Sequence, residues 1–278
     1  MSSERTAWHV MFYALLEEER PRLFKVEPEV RLSKEPLVAD FILIRRLAQG
    51  DVSDAGVLRG LWPHIRTLAL VEFKSVSRPV RQGDLTKLLG YGGQYATLKR
   101  RRLKTKEDLV RVLVTAKPSS ALNNELTVLG ATLGASVGGY APISGLCFPA
   151  WAVFLDEVST AERDELVGSF GHIERNDPTV RQWWLSHLWS GEKIMTHANI
   201  ENLEGYEEMV AKVLAGMPLD LRLKGLTTKE RLHGVEPEEI LSHVMPEDLI
   251  RGLESESLVR KLSREERQRL KKLLDDEE

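Results

Sequence analysis

Apolar and polar positions in the N-terminal part of the chain predict one helix followed by three strands. Between residues 6 and 20, apolar residues recur every three or four positions until Pro21, a spacing that predicts a helix. Alternating and continuous apolar runs then predict strands at 23–32, 36–46 and 67–75. The polar, glycine-containing insertion at 47–66 is interpreted as a surface loop or a short helix.

The middle of the chain continues with helices and strands in alternation. A helix is predicted from Gln82, where leucines and tyrosines keep a helical spacing and glycines allow close packing on a sheet. LVRVLVTAKPS from Leu109 predicts a buried strand, and 149–159 predicts another. Further helices are predicted at 123–133, 160–170, 178–189 and 206–214. The tryptophans of WWLSHLW (183–189) are expected in the core rather than stacked on bases.

The last fifty residues contain an internal repeat of nine residues that starts at Thr227. A helix turns about 100° per residue, so nine residues leave successive apolar groups on opposite faces. The segment therefore predicts short stacked helices, broken once per unit, that pack together or bind a protein. We expect two parts, a domain at 1–220 and a helical repeat segment at 221–278, the latter offering a surface for a protein partner or for self-association.

Charge is distributed unevenly along a chain whose formal net charge is only -3. Basic residues crowd the middle of the sequence, whereas the tail is rich in glutamate. A patch of this kind can contact the phosphates of a nucleic acid, and KRRR at 99–102 can equally be a solvated helix end. The candidates for nucleic-acid contact are Arg78, Arg81, Lys99, Arg100, Arg101 and Arg102.

The cysteine content and the N-terminal sequence bear on the compartment. Cys147 is the only cysteine, which excludes an intramolecular disulfide and a cysteine-based zinc site and fits a reducing cytoplasm. The start, MSSERTAWHV, has no basic segment followed by an apolar stretch, and no window approaches the roughly 20 apolar residues of a spanning helix. We therefore expect a cytoplasmic protein with no membrane partner.

The strand pattern LALVEFKSV at 68–76 carries two charges on one face. Alternation places Glu72 and Lys74 on the same side of the strand. If that strand is central, a buried charge costs several kcal/mol unless it is paired or bound to an ion. The two side chains can form an ion pair with each other, as an exposed edge strand would also allow, or they can belong to a metal-dependent active site.

A third charged residue, Asp40, interrupts the neighbouring strand pattern LVADFILI. If the two strands are neighbours, Asp40, Glu72 and Lys74 converge at one edge of the sheet. Carboxylate oxygens suit Mg²⁺, which binds through one or two carboxylates and completes its shell with water and substrate phosphate. A lysine beside such an ion can position or deprotonate the attacking water. This combination predicts the hydrolysis of phosphodiester bonds.

The order of these features resembles the PD-(D/E)XK nuclease superfamily, including its transposase-like, recombination-promoting branch. The resemblance implies a restriction-endonuclease-like mixed α/β sheet flanked by helices, with DNA as the substrate. It implies that Asp40, Glu72 and the main-chain carbonyl of Phe73 bind Mg²⁺, for which Mn²⁺ can substitute, and that Lys74 is catalytic. The auxiliary residues implied are one of the acids Glu17, Glu18 and Glu19 on the first helix, and Gln94 and Tyr95 on the helix after the motif.

The sequence thus predicts a metal-dependent DNA endonuclease. The alternative is a catalytically silent member of the same superfamily that binds nucleic acid or protein, with the helical tail as its docking surface. A third interpretation makes the tail the functional part and the rest of the chain a scaffold.

Overall fold

The computed structural model describes residues 6–31, 38–46, 52, 55–98, 103–172, 177–189 and 203–215. The chain divides into two compact units, Met1–Pro218 and Leu219–Glu278, and every described residue belongs to the first. The nine-residue repeat and the KRRR stretch at 99–102 lie outside the described residues. Their predicted roles therefore remain sequence-based predictions.

The described residues form a seven-stranded mixed sheet in the order β1-β2-β3-β4-β7-β6-β5. The central pairs β3–β4 and β4–β7 are parallel, and the other neighbours are antiparallel. The strands are β1 (Phe24–Arg31), β2 (Val38–Arg45), β3 (Leu68–Lys74), β4 (Leu109–Thr115), β5 (Thr132–Leu133), β6 (Tyr140–Ser144) and β7 (Ala150–Phe154).

Helices cover both faces of this sheet. They are α1 (Ala7–Glu19), α2 (Asp84–Leu98), α3 (Ser120–Val128), α4 (Leu155–Glu162), α5 (Glu165–Ser169), α6 (Pro178–Trp189) and α7 (Tyr206–Ala215). One apolar layer joins α1 to the sheet, with Phe12 stacked on Phe73 at a ring-centre distance of 4.2 Å. The opposite layer joins α2 and α3 to the sheet through Leu85, Leu88 and Leu122. The predicted α/β class, a mixed sheet flanked by helices, is confirmed.

Most predicted elements in the described residues are confirmed to within a few residues. The predicted burial of the α6 tryptophans is confirmed for Trp184, which is 3% exposed. The prediction of close packing by the α2 glycines holds for Gly92, where an added Cβ would lie 2.1 Å from Nε of Arg111. It is not supported for Gly90 and Gly93, because no neighbouring atom of the described residues lies within 4 Å of a Cβ added at either position.

Three predictions about elements need correction. The insertion at 47–66 is not simply a surface loop, because its described part buries Val57, Leu61 and Trp62 in the core beside α1. The strand predicted at 149–159 ends at Phe154, and α4 begins at the next residue. The helix predicted at 123–133 ends at Val128, and the last two residues of that range, Thr132 and Leu133, form β5, which pairs with β6, a further strand that the apolar pattern did not indicate.

Candidate active site

Glu72 and Lys74 lie in the middle of the sheet. Strand β3 runs between β2 and β4, and Glu72 is only 2% exposed. Alternation turns both side chains toward the face that α2 covers, and Nζ of Lys74 lies 2.9 Å from Oε1 of Glu72. The interpretation as an exposed edge-strand pair is therefore wrong, whereas the predicted ion pair between the two residues is present.

The chain contains a second ion pair of the same kind that serves as a reference. Lys25 and Glu27 are also two residues apart on one strand, and their Nζ–Oε1 distance is also 2.9 Å. They lie on the edge strand β1, with side chains 47% and 37% exposed. A pair this exposed contributes under about 1 kcal/mol, whereas burying the Glu72–Lys74 pair carries a desolvation cost.

Asp40 of β2 lies near the end of β3 because the two strands separate at this position. Their ladder runs from Ile44 opposite Leu68 to Phe41 opposite Val71 and then ends, although β2 stays paired with β1 as far as Val38. In the opening that results, Oδ2 of Asp40 accepts the N–H of Phe73 at 2.8 Å. The carboxylate of Asp40 thus lies inside the gap between the two strands.

The backbone of Phe73 contributes a second group to this gap. Within a strand, the N–H and C=O of one residue point to the same side, as in the doubly bonded pairs of an antiparallel ladder. Since the N–H of Phe73 points toward Asp40, its carbonyl oxygen faces the same gap. This is the orientation that the predicted role of Phe73 as a ligand requires.

The two carboxylates repel each other electrostatically. Burial raises the pKa of Glu72, the charge of Asp40 raises it further, and the cations Lys74 and Lys87 counteract this only in part, so that the pKa is about 7. The Oε2 atom of Glu72 is buried and finds no hydrogen-bond partner among the residues that the structure describes. A divalent cation at this point would relieve the repulsion and would give Oε2 a partner.

Lys74 is held as an ammonium group. Burial lowers its pKa, but the charge of Glu72 and the hydrogen bonds to Asp84 and Glu72 outweigh burial, so that the pKa of Lys74 lies above its ordinary value. In the absence of a metal ion, the amine is therefore a donor of hydrogen bonds and positive charge. It is suited to orienting a water or a phosphate oxygen rather than to accepting a proton.

The structure adds two residues that the sequence did not indicate. Nε2 of His9 lies 3.4 Å from Oδ2 of Asp40, and Nδ1 of the same ring accepts the N–H of Thr6 at 3.2 Å, which places the hydrogen of a neutral ring on Nε2. Oδ1 of Asp84, the first residue of α2, lies 2.9 Å from Nζ of Lys74. No sequence signal marked His9, but an acid at the start of the next helix could have drawn attention to Asp84.

The acids at the end of α1 are not part of this cluster. His9 is the α1 residue near Asp40, and Glu17 lies about 12 Å further along the helix axis at 1.5 Å per residue. Glu17 pairs with Arg20 at 2.6 Å, and Glu18 accepts hydrogen bonds from Trp183 and His187 at 2.7 Å each. The contacts of Glu18 join α1 to α6, and neither glutamate provides an auxiliary carboxylate at Glu72.

The other predicted site residues lie at varying distances from the carboxylates. Gln94 and Tyr95 are at least ten positions beyond Asp84 on α2, about 15 Å along its axis, and Tyr95 packs in the core. Oε1 of Gln94 is buried and has no hydrogen-bond partner in the described part of the chain. Arg78 pairs with the exposed Glu204, and the side chain of Arg81 is exposed just before α2.

Asp40, Glu72 and Phe73 offer oxygen ligands that suit a magnesium ion whose remaining ligands are water and a substrate phosphate. Among the described residues no three or more His, Cys, Asp or Glu side chains gather into a ready-made metal cage. Mg²⁺ needs only one or two carboxylates when water and a substrate phosphate supply its remaining ligands. Oε2 of Glu72, the carboxylate of Asp40 and the carbonyl of Phe73 meet that requirement.

Comparisons of the chain with protein-family models, with curated protein sequences and with solved structures find no match. None of the helices among the described residues has the length and apolar character needed to cross a bilayer.

Proposed function

We propose that this protein is a nuclease of the PD-(D/E)XK type that hydrolyses DNA phosphodiester bonds with Mg²⁺, or with Mn²⁺ in its place. The observation that carries the proposal is the parting of β2 and β3. The carboxylate of Asp40 and the carbonyl of Phe73 share the gap that results, and Glu72 is near enough for the charge of Asp40 to raise its pKa. Within the described residues, the buried Oε2 of Glu72 has no hydrogen-bond partner that would compete with a cation. A purely structural ion pair between Glu72 and Lys74 requires neither Asp40 nor the separation of the strands.

Each residue of the cluster has a distinct role in this proposal. Asp40, Glu72 and the carbonyl of Phe73 hold the ion, whose charge stabilises the phosphate oxygens and lowers the pKa of a bound water. The ammonium of Lys74 donates hydrogen bonds to the attacking water or to a phosphate oxygen. His9 orients the carboxylate of Asp40 through Nε2.

DNA is proposed as the substrate because of the resemblance to the superfamily and because of the cations near the site. Lys87 lies close enough to Glu72 to lower its pKa, and Arg78 and Arg81 precede α2 on the same connection. Cations of this kind hold a phosphate backbone without reading bases. The helical tail is proposed as the surface for a protein partner or for self-association.

One observation favours the alternative, a catalytically silent module that binds nucleic acid or protein. Lys74 bonds both Glu72 and Asp84, so that the buried charge of Glu72 has a partner in the absence of any metal ion. A silent module needs only this ion pairing of the buried Glu72. A nuclease requires in addition that Asp40 and Glu72 bind a divalent cation. The two functions therefore differ in whether a divalent cation binds and whether DNA is cut.

The experiment that tests the proposal is a cleavage assay with supercoiled, linear and single-stranded DNA, in Mg²⁺, Mn²⁺ or chelator. The site variants are Asp40→Asn and Glu72→Gln, which keep the shape of each side chain. Glu27→Gln is the matched control, because it removes the same charge from an ion pair of the same geometry on an exposed strand. We expect metal-dependent cleavage by the wild type and by Glu27→Gln, and none by the two site variants.

Two outcomes would contradict the proposal. Full cleavage by Asp40→Asn or Glu72→Gln would place the chemistry at other residues. No cleavage by the wild type on any of the substrates, together with DNA affinity, would favour the silent module.

A further inference from the structure

The amine of Lys74 is shared between two carboxylates. Its Nζ lies 2.9 Å from Oε1 of Glu72 and 2.9 Å from Oδ1 of Asp84. Both Lys74 and Asp84 are mostly buried, with side chains 14% and 16% exposed. Only one of these carboxylates, Glu72, belongs to the proposed metal site.

Asp84 is held firmly at the start of α2. Its other oxygen, Oδ2, accepts the N–H of Arg81 at 2.8 Å. The next two N–H groups of α2 donate to the carboxylate of Glu125 on α3. The N–H of Leu85 lies 3.2 Å and the N–H of Thr86 lies 2.7 Å from its oxygens. Because Glu125 satisfies this helix end, Oδ1 of Asp84 is directed at Lys74 rather than at the helix backbone.

The ammonium of Lys74 and a divalent cation compete for Glu72. If Glu72 were the only carboxylate near Lys74, a cation bound at Glu72 would leave a buried ammonium without a partner, which is costly. The bond to Asp84 removes that cost, because Lys74 keeps one carboxylate when Glu72 turns to a cation. The same bond keeps the amine beside the site.

We infer that Asp84 is a positioning residue of the proposed nuclease site, which holds the Lys74 ammonium so that Glu72 can bind a divalent cation. The inference rests on the proposed function. Asp84 acts through Lys74 and touches neither substrate nor metal. Its effect on cation affinity therefore depends on the presence of Lys74.

This dependence gives a measurable signature. In Asp84→Asn, Lys74 has only Glu72 as a carboxylate partner, so that the ammonium competes more strongly and cation affinity falls. In the Lys74→Met background no ammonium competes with the cation. There Asp84→Asn removes only one distant negative charge, so that cation affinity should fall by only about twofold. A merely structural role of Asp84 at the helix end would lower the affinity equally in both backgrounds.

The experiment measures Mn²⁺ affinity from the electron paramagnetic resonance signal of the free ion, with the full chain and no DNA. The proteins are the wild type, Asp84→Asn, Lys74→Met and the double variant, with Asp40→Asn to identify the site. We expect Asp84→Asn to weaken Mn²⁺ binding about tenfold in the wild-type background, a coupling of about 1 kcal/mol beyond the twofold direct effect. Asp84→Ser, which keeps an oxygen that can accept the N–H of Arg81, should behave like Asp84→Asn.

The possible results separate the inference from the proposed function. Equal losses of affinity in both backgrounds would overturn the role of Asp84, and so would unfolding of both Asp84 variants, which would make the residue structural. Wild-type binding that Asp40→Asn leaves unchanged, or no Mn²⁺ binding by the wild type, would overturn the proposed metal site and the inference with it.

Discussion

The side chain of Asp40 accepts the N–H of Phe73 at 2.8 Å, at the point where the β2–β3 ladder has ended. A continued register would have placed Phe73 opposite Ala39. A carboxylate thus replaces a backbone carbonyl as the acceptor and brings a negative charge between two neighbouring strands. The same hydrogen bond supports the strand end and holds the carboxylate of Asp40 beside β3, where its charge raises the pKa of Glu72.

The bond between Asp40 and Phe73 predicts that two substitutions at position 40 differ in stability. Asp40→Ala leaves the N–H of Phe73 without its acceptor, which should lower the free energy of unfolding by about 1 to 3 kcal/mol. Asp40→Asn keeps an amide oxygen that can accept this N–H, so its free energy of unfolding should fall by less. Urea denaturation of both variants in chelator measures the difference, and equal losses would show that the bond does not stabilise the strand end.

Glu72 predicts a specific dependence of stability on pH. Burial and the charge of Asp40 raise its pKa from the ordinary 4.5 to about 7 in the folded state. Because the folded state binds this proton more tightly than the unfolded state, the stability that Glu72 contributes is complete below about pH 4.5 and is lost as the pH rises through about 7. Relative to Glu72→Gln, the wild type should therefore lose about 2 to 3 kcal/mol of unfolding free energy between about pH 5 and 8.

Urea denaturation in chelator at several pH values measures this loss. The difference between the two proteins isolates Glu72, because the other titrating groups are present in both. Parallel stability curves for the wild type and Glu72→Gln would contradict the raised pKa.

Part of this site could be predicted from the sequence, and part could not. The period-two pattern of β3 was enough to place Glu72 and Lys74 on one face, and the acid in the strand before it pointed to Asp40. The contacts of His9 and Asp84 with those residues depend on how α1 and α2 pack on the sheet, which no local pattern specifies. The resemblance implies an auxiliary role for Glu17 or Glu18 at the end of α1, but it is the opposite end of that helix that faces Asp40.

The insertion at 47–66 shows a second limit of local patterns. Its polar residues and glycines are typical of a loop, and the described part does contain turns and a short 3₁₀ helix at Trp62–His64. Yet Leu61, Trp62 and Ile65 are buried against the sheet. The buried apolar residues at 57, 58, 61, 62 and 65 in fact keep a helical spacing, which the surrounding glycines and polar residues outweighed in the prediction.

Arg111 predicts that removing a buried charge stabilises the fold. It is 2% exposed on β4, and within the described part of the chain its Nε and Nη1 atoms have no hydrogen-bond partner. Arg111→Met keeps much of the volume and removes the charge, so that the free energy of unfolding should rise by about 1 to 3 kcal/mol. Arg111→Lys retains the charge and is the control, and thermal and urea denaturation measure both. Destabilisation by Arg111→Met would contradict the prediction and show that contacts of the guanidinium, such as its packing over the ring of Phe148 at 4.3 Å, outweigh the cost of its burial.

The basic stretch at 99–102 predicts a salt effect on DNA affinity. If its side chains bind phosphates, log affinity falls against log salt with a slope of about -0.9 for each neutralised phosphate on duplex DNA. Replacing Lys99, Arg100, Arg101 and Arg102 with Ala should weaken binding to all sequences similarly and reduce that slope, whereas Mn²⁺ affinity should stay nearly the same. Binding measured at several salt concentrations tests this, with Lys25→Ala as a control on an exposed lysine. An unchanged slope would assign the stretch to a solvated helix end.

The most direct test of the central claim is the single-turnover rate of DNA cleavage in Mg²⁺ for two lysine variants. Lys74→Met and Lys25→Met each remove the amine from a Glu–Lys pair with the same 2.9 Å contact, one in the centre of the sheet and one at its exposed edge. We expect Lys74→Met to lower the rate by at least about 100-fold, since its amine orients the reacting groups, and Lys25→Met to leave the rate unchanged. Equal rates for the two variants would contradict an active site at Asp40, Glu72 and Lys74.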